Sequence, residues 1–247
     1  MTMADFVQLW VYLSASPLFG LTATLVVYVL AYSLYQRLHQ APWANPVLWS
    51  VLVIASGLLA TGVSYPSYFA GAQFIHFLLG PAVVALAWPL WLRRTELQQR
   101  WGRLLLAALA GGAASAGSAL LLGWAWGLPP DVLLSLVPKS VTAPVAMGIA
   151  DKIGGIAALA AVFAVLTGII GALLGKYLFD ALRIPTDAAG WAARGFALGT
   201  VSHGIGAARA IAVNADAGAY AGLALALQVL LASVLIPLAI KLLALMG

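Results

Sequence analysis

Apolar residues run almost unbroken from Pro17 to Met246, and the interruptions are short, polar or rich in Gly and Pro. Crossing the hydrocarbon takes about 20 helical residues, and the runs divide at that scale. The first predicted helix covers 17–37, with Pro17 in its first turn, where proline is tolerated, and a short apolar lead-in at 6–13 before it. A loop from His39 to Ala44 leads to Asn45, an expected N-cap with Pro46 behind it, and to a second helix ending near Thr61. Tyr65-Pro66-Ser67-Tyr68 turns the chain into a third segment, 69–92. Gly80-Pro81 predicts a kink or break there, because Pro81 removes a backbone donor and crowds the preceding turn. A fourth helix covers 104–126, and its Gly111, Gly112, Ser115, Gly117 and Ser118 are small enough for close helix contact in lipid. Next come Asp131–Lys152, interrupted at Pro138, Pro144, Gly148 and Gly154-Gly155, and a helix over 156–177. A Gly-rich segment over 188–212, expected to break at Gly204 and Gly206, precedes the last helix, 216–245.

Composition narrows the class. Of 247 residues, 64% are hydrophobic and 8% charged, with a mean hydropathy of +1.03; soluble domains have about 45–50% apolar and about 25% charged residues. The expectation is an all-α integral membrane protein, a single polytopic domain over 1–247. The formal charge of +5 does not imply nucleic acid, since Lys and Arg lie at helix ends and short loops with no basic stripe or tail, as membrane topology requires. Cysteine is absent, which removes disulfides, thiolate metal sites and cysteine nucleophiles. The three histidines and seven scattered acids form no HExxH, no metal cluster and no phosphate loop. Ser202 and His203 are adjacent and lack a neighbouring acid, so they are no catalytic triad. Enzymatic activity, a resident metal and a cofactor are not expected. The N-terminus lacks the basic region and cleavage pattern of a secretory signal, so the first helix is expected to be retained.

The positions of the basic residues set an orientation. Arg37 with His39, the group Arg93, Arg94, Arg100 and Arg103, and the pair Lys176 and Arg183 mark three loops that belong on the cytoplasmic side. If Asp131–Lys152 crossed completely, the helix after it would deliver Lys176 and Arg183 to the wrong side. A segment that enters and leaves on the outer face puts all three loops inside. The expected arrangement is therefore seven transmembrane helices plus one re-entrant hairpin, with a fully crossing broken helix as the alternative. Interruption of both the third and the penultimate segment is the weak symmetry left by repeat-built secondary transporters.

Two motifs carry the chemistry. In Pro138-Lys139-Ser140-Val141-Thr142-Ala143-Pro144, an ammonium and two hydroxyls sit in a helix break; in Ser202-His203-Gly204-Ile205-Gly206, a hydroxyl and an imidazole precede two glycines, with Arg209 beyond. A helix that stops inside the membrane presents free N–H or C=O groups, which makes an ion site. Lys139, Lys152, His203 and Arg209 outnumber the acids of these segments, where Asp151 is the carboxylate, so the complementary solute is a small anion. A short carboxylate or hydroxycarboxylate would use the cations for its charge and Ser140, Thr142 or Ser202 for its hydroxyl. His203 titrates near neutrality when unperturbed and offers a proton to couple to movement. The structural readings are that Lys152 pairs with Asp151 or snorkels, that Arg209 caps a helix end, and that His203 satisfies a carbonyl freed by the break. His76, with Gln73 one turn earlier, reads as interhelical glue, and the tryptophans near span ends as interface anchors.

At these same residues the sequence resembles the LrgB/CidB family of bacterial membrane proteins, whose plant relative is the chloroplast glycolate/glycerate transporter. The resemblance is carried by Asn45-Pro46, the block from Phe77 through Gly80-Pro81 to Ala87, the block from Pro138 to Met147, Ile153-Gly154-Gly155, Leu166 to Gly171, and Ser202 to Gly206 with Ala208-Arg209-Ala210. It implies a multi-pass protein of the bacterial inner membrane with one of two activities: transport or export of glycolate, glycerate, lactate or pyruvate, or an antiholin-like control of murein hydrolase export and cell lysis. It also implies work beside a smaller LrgA/CidA-like membrane partner. The small-residue helix faces suggest a homodimer.

Overall fold

The structure, a computed structural model, describes residues 17–85, 88, 91 and 94–246. The lead-in at 6–13 and most of 86–93 lie outside the described residues. Within them the secondary structure is helical, with no strand. The helices are α1 (Pro17–Arg37), α2 (Pro46–Thr61), α3 (Tyr65–Ala85), α4 (Arg94–Ala125), α5 (Pro130–Leu136), α6 (Ala143–Ile153), α7 (Ala157–Ala181), α8 (Ala188–Val213) and α9 (Ala215–Met246). By length and composition, five of them (in α1, α4, α7, α8 and α9) can cross a membrane, and α2 is a shorter apolar helix. The chain is a multi-pass membrane protein. Its packing divides after Ala85 into two compact units.

In the first unit the side-chain oxygen of Asn45 accepts from the backbone N–H of Val47 (2.9 Å) and Leu48 (3.2 Å), so the expected N-cap forms and Pro46 opens α2. α1 lies against α3 where Gly20 has no side chain: a Cβ there would overlap the Tyr68 carbonyl. Thr24 and Tyr68 join hydroxyls at 2.6 Å beside this contact. α3 stays helical across Gly80 and Pro81. Of the kink or break expected there, the break is not formed. Gln73 donates to the Ala70 carbonyl of its own helix (2.9 Å), and among the described residues no bond joins it to a second helix. The His76 side chain lies outside the described residues.

The second unit is built around α7. After α5 the chain turns through Val137 to Thr142, and Pro144 opens α6 as expected. α6 ends at Gly154, which is in the left-handed conformation (φ 86°). Ser135 Oγ, near the end of α5, then accepts from the N–H of Ile156 (2.7 Å), just past α6. The segment 135–156 thus closes on itself as a hairpin whose ends touch. Gly155 permits the closure, since a Cβ there would lie 2.9 Å from the Ser135 backbone N. With a rise of about 1.5 Å per residue, α5 and α6 are each far shorter than the hydrocarbon is thick.

α8 holds a second reversal. His203 has φ 40° and ψ −132° inside it, a region that side chains other than glycine seldom enter. A Cβ on Gly206 would lie 2.6 Å from the Leu198 carbonyl oxygen, so the chain after His203 folds back along the chain before it. Gly195 and Gly199 of the first arm meet the carbonyls of Ala217 and Ala221, near the start of α9. A straight 26-residue helix could not bring Ala217 back to Gly195. The expected crossing at 188–212 is therefore an outward arm (188–202) and a returning arm (204–213). Its reversal lies at His203 rather than at Gly204 or Gly206, both of which are helical.

These contacts give relative directions. The outward arm of α8 is antiparallel to α7, with Arg194 against Asp180, Leu198 against Gly175 and Ser202 against Gly171. It is parallel to α9. α4 is parallel to both, since Gly111 meets Thr200 and a cavity runs along 100–111 of α4 and 189–201 of α8. A second cavity follows 108–120 of α4 and 228–240 of α9.

Candidate functional site

Both reversals come to the same part of α7. The ring of His203 donates from Nε2 to the Ala164 carbonyl (2.8 Å). Gly168 makes room for this, because a Cβ there would lie 2.8 Å from the ring. Ser202 presses its hydroxyl onto Gly171, where a Cβ would overlap it. That hydroxyl is buried and has no hydrogen-bond partner among the described residues. Ala164 also belongs to the core cluster that contains Val137, Val141, Ala146 and Ile149 of the first hairpin. The two tips thus share α7 as a wall, on the order of 10–20 Å from its start at 1.5 Å per residue, near mid-depth for a helix of this length.

At the first tip the Lys139 ammonium donates to the Ser115 carbonyl (2.6 Å) and hydroxyl (2.8 Å) on α4. An ammonium has three protons, so one remains for another acceptor. Ser140 is buried and lines the α4–α9 cavity, of about 360 Å³, together with Gln228. The Gln228 amide donates to the Ala108 carbonyl (2.5 Å). Thr142 is the N-cap residue of α6 but makes no side-chain cap bond. Pro138 and Val141 are fully buried and hold the turn in place.

Two helix N-termini therefore start at the tips: α6 at Ala143, and the returning arm of α8 at Gly204. A Cβ on Gly204 would meet nothing within 4 Å. Each N-terminus carries partial positive charge, equivalent to roughly half an elementary charge, and N–H groups that no earlier turn can accept. The Lys139 ammonium adds a full positive charge beside the first of these N-termini.

The structure brings the expected residues only partly together. Lys139 and Ser140 face α4 and the α4–α9 cavity, whereas Ser202 and His203 face α7. Arg209 is half-buried farther down the returning arm, beside Ala210 of the small-residue cluster against Ala217 and Ala221. Neither Lys139, His203 nor Arg209 lines the two cavities described above. Gly154 and Gly155 close the base of the first hairpin. Lys152 is exposed beside Asp151 in the last turn of α6.

Several residues were not singled out for chemistry from sequence. In the sequence Ser115 reads as a small packing residue, yet in the structure it holds Lys139. Gln228 is a lone amide in the last apolar run, and that isolation was its signal. Arg194 is 6% exposed, pairs with Asp180 (2.8 Å) and donates to the Ile184 carbonyl. Its guanidinium lies over the rings of Phe179 and Trp191, so it anchors the α7–α8 connection. Its signal was a basic residue inside an apolar segment next to Trp191.

Comparison with known proteins places this arrangement. The model of the LrgB-like family matches residues 24–242. The chain belongs to the LrgB family. LrgB-family relatives include the protein YxaC of Bacillus subtilis, 34% identical over 88% of this chain and 92% of its own length. The holin-like protein CidB of Staphylococcus aureus is 32% identical over 89% of this chain and 93% of its own. A Haemophilus influenzae protein is 31% identical over 80% and 84%. No solved structure matches the chain. Both hairpins and α7 fall within the LrgB match.

Proposed function

We propose that this LrgB-family protein is a carrier rather than an enzyme, resident in the bacterial inner membrane, and that it moves small carboxylates or hydroxycarboxylates of the glycolate, glycerate, lactate and pyruvate class. The observation that carries the reading is the pair of helix N-termini at two hairpin tips that both pack on α7, with the Lys139 ammonium beside one of them. An anionic group is the complement of such a site, and hairpins ending at mid-depth are how transporters place helix ends there. In this reading Lys139 and the N–H groups at Ala143 and Gly204 hold the carboxylate. Ser140 and Thr142 face its remainder, Ser202 and His203 fix the second tip on α7, and Arg209 adds positive potential from the returning arm.

The same reading includes a topology. The first hairpin enters from outside and the second from inside, so α4, α7 and α9 are the three crossings of the second unit. Two features support it: the closed ends of the first hairpin, and the parallel course of α4, the outward arm of α8 and α9. With this count Arg94, Arg100, Arg103, Lys176 and Arg183 all lie inside, as the charge rule asks. Assembly as a homodimer and with a smaller membrane protein belongs to the same proposal.

The test is uptake of labelled glycolate, glycerate, lactate and pyruvate into proteoliposomes. Saturable uptake of at least one acid is expected, and Lys139→Ala should lower it roughly tenfold or more, the usual scale for losing a charged hydrogen bond. If no acid is moved, or if the variant transports like the parent, the reading is wrong. A holin-like activity is the second reading, suggested by the name of the CidB relatives. Its contact surface would lie at Gly117 and the exposed Ser118 of α4, because Gly111, Gly112 and Ser115 are occupied inside the unit by Thr200, Gln228 and Lys139. A lysis phenotype lost with Gly117→Leu and kept with Lys139→Ala would favour it.

A further inference from the structure

The groove between α4 and the outward arm of α8 has a different chemistry from the hairpin tips. Its volume is about 550 Å³. Arg100 and Arg103 lie at one end, Ala189, Ala193 and Ala197 form one wall, and the contact of Gly111 with Thr200 closes the other end. No acidic residue lines it among the described residues. Asp187, just before this wall, is already engaged as the cap of α8, accepting from the Gly190 N–H (2.8 Å).

We propose that this groove binds an anionic phospholipid of the cytoplasmic leaflet, with its phosphate at Arg100 and Arg103 and one acyl chain along the alanine wall. Three observations converge. The arginines belong to the loop group that the charge rule assigns to the cytoplasmic side, where anionic lipids are attracted by basic residues between helices. Trp101, between them in sequence, is 48% exposed, the position of an aromatic anchor at headgroup level. From Arg100 to Gly111 the helix rises about 16 Å, close to the half-thickness of a hydrocarbon core of about 30 Å. The groove therefore starts at headgroup depth, ends near the midplane, and is apolar in between. A small hydrophilic anion would leave that apolar wall unused; a lipid covers it. The proposal does not depend on what the protein transports.

The test is thermal unfolding of the full chain in detergent with dioleoyl phosphatidylglycerol, dioleoyl phosphatidylcholine or glycerol 3-phosphate. Phosphatidylglycerol should raise the melting temperature in a saturable way, and the other two should not. Arg100→Gln and Arg103→Gln should each weaken the apparent affinity about fivefold, the scale of one basic residue at an anionic membrane surface. Ala193→Trp fills the groove from an exposed position and keeps both charges, so it should abolish the effect. Equal stabilisation by phosphatidylcholine, full stabilisation by glycerol 3-phosphate, persistence in Ala193→Trp, or no response to phosphatidylglycerol each overturns the proposal.

Discussion

His203 is the residue on which the second hairpin turns. Its backbone conformation costs a residue other than glycine on the order of 1–3 kcal/mol, and such strain persists only where neighbours over-determine it. Here the neighbours are the Ala164 carbonyl and the bare surface of Gly168. Gly168→Ala should displace the ring and cost about 1–3 kcal/mol, the usual scale of overpacking, as measured by thermal unfolding. Gly204→Ala separates stability from function. Gly204 is helical and has open space where its Cβ would be, so alanine should leave stability unchanged or raise it by up to about 1 kcal/mol. The methyl group would nevertheless sit at the N-terminus assigned to the carboxylate, and uptake should fall. Uptake at the parental rate would remove that N-terminus from the site.

At the scale of elements, most helices were legible and one reversal was not. The bounds of α1, α2 and α7 follow from run length, Pro17, Asn45-Pro46 and the basic residues, because capping and hydrophobic length act locally. The turn of the first hairpin was also legible, since five Pro and Gly positions interrupt the segment, while charge placement only favours re-entry over a crossing. α8 misled because both of its arms are apolar, so no loop-like stretch marks the turn. Gly204 and Gly206 signalled a break next to the true one, but nothing in the pattern gives the direction of the chain after it. That direction is set by contacts with α7 and α9 that are remote in sequence. Gly80-Pro81 ends no helix, since α3 runs on past it to Ala85. The first hairpin, being closed by one side chain, makes a sharp prediction. Ser135 Oγ donates to the Asp131 carbonyl (2.6 Å) and accepts from Ile156, and it is fully buried. Ser135→Ala leaves the Ile156 N–H without its acceptor and should cost about 1–3 kcal/mol. A melting temperature equal to that of the parent would mean that the hairpin base is held by packing alone.

For the molecule as a membrane-crossing chain, the two hairpins decide on which side each later loop emerges. The sequence pattern alone reads 188–212 as a crossing, which puts the α8–α9 connection at Asn214 outside. The reversal at His203 instead returns the chain to the side from which α8 set out, so the connection at Asn214 and the α7–α8 connection at Leu182 share one face. In the proposed topology a hairpin followed by a crossing then occurs twice, α5–α6 with α7 and the two arms of α8 with α9, entering from opposite sides, which would be the inverted-repeat plan of transporters whose solute site lies between the tips. Cysteine is absent from the chain, so single replacements report cleanly. Val213→Cys and Leu182→Cys, both at exposed positions, should react with a membrane-impermeant maleimide from the same side, the interior. A cysteine at Gly127, between α4 and α5, should react from the outside. Labelling of Val213→Cys from the side opposite to Leu182→Cys would restore α8 as a full crossing. It would also separate the two helix N-termini, and the shared anion site would go with them.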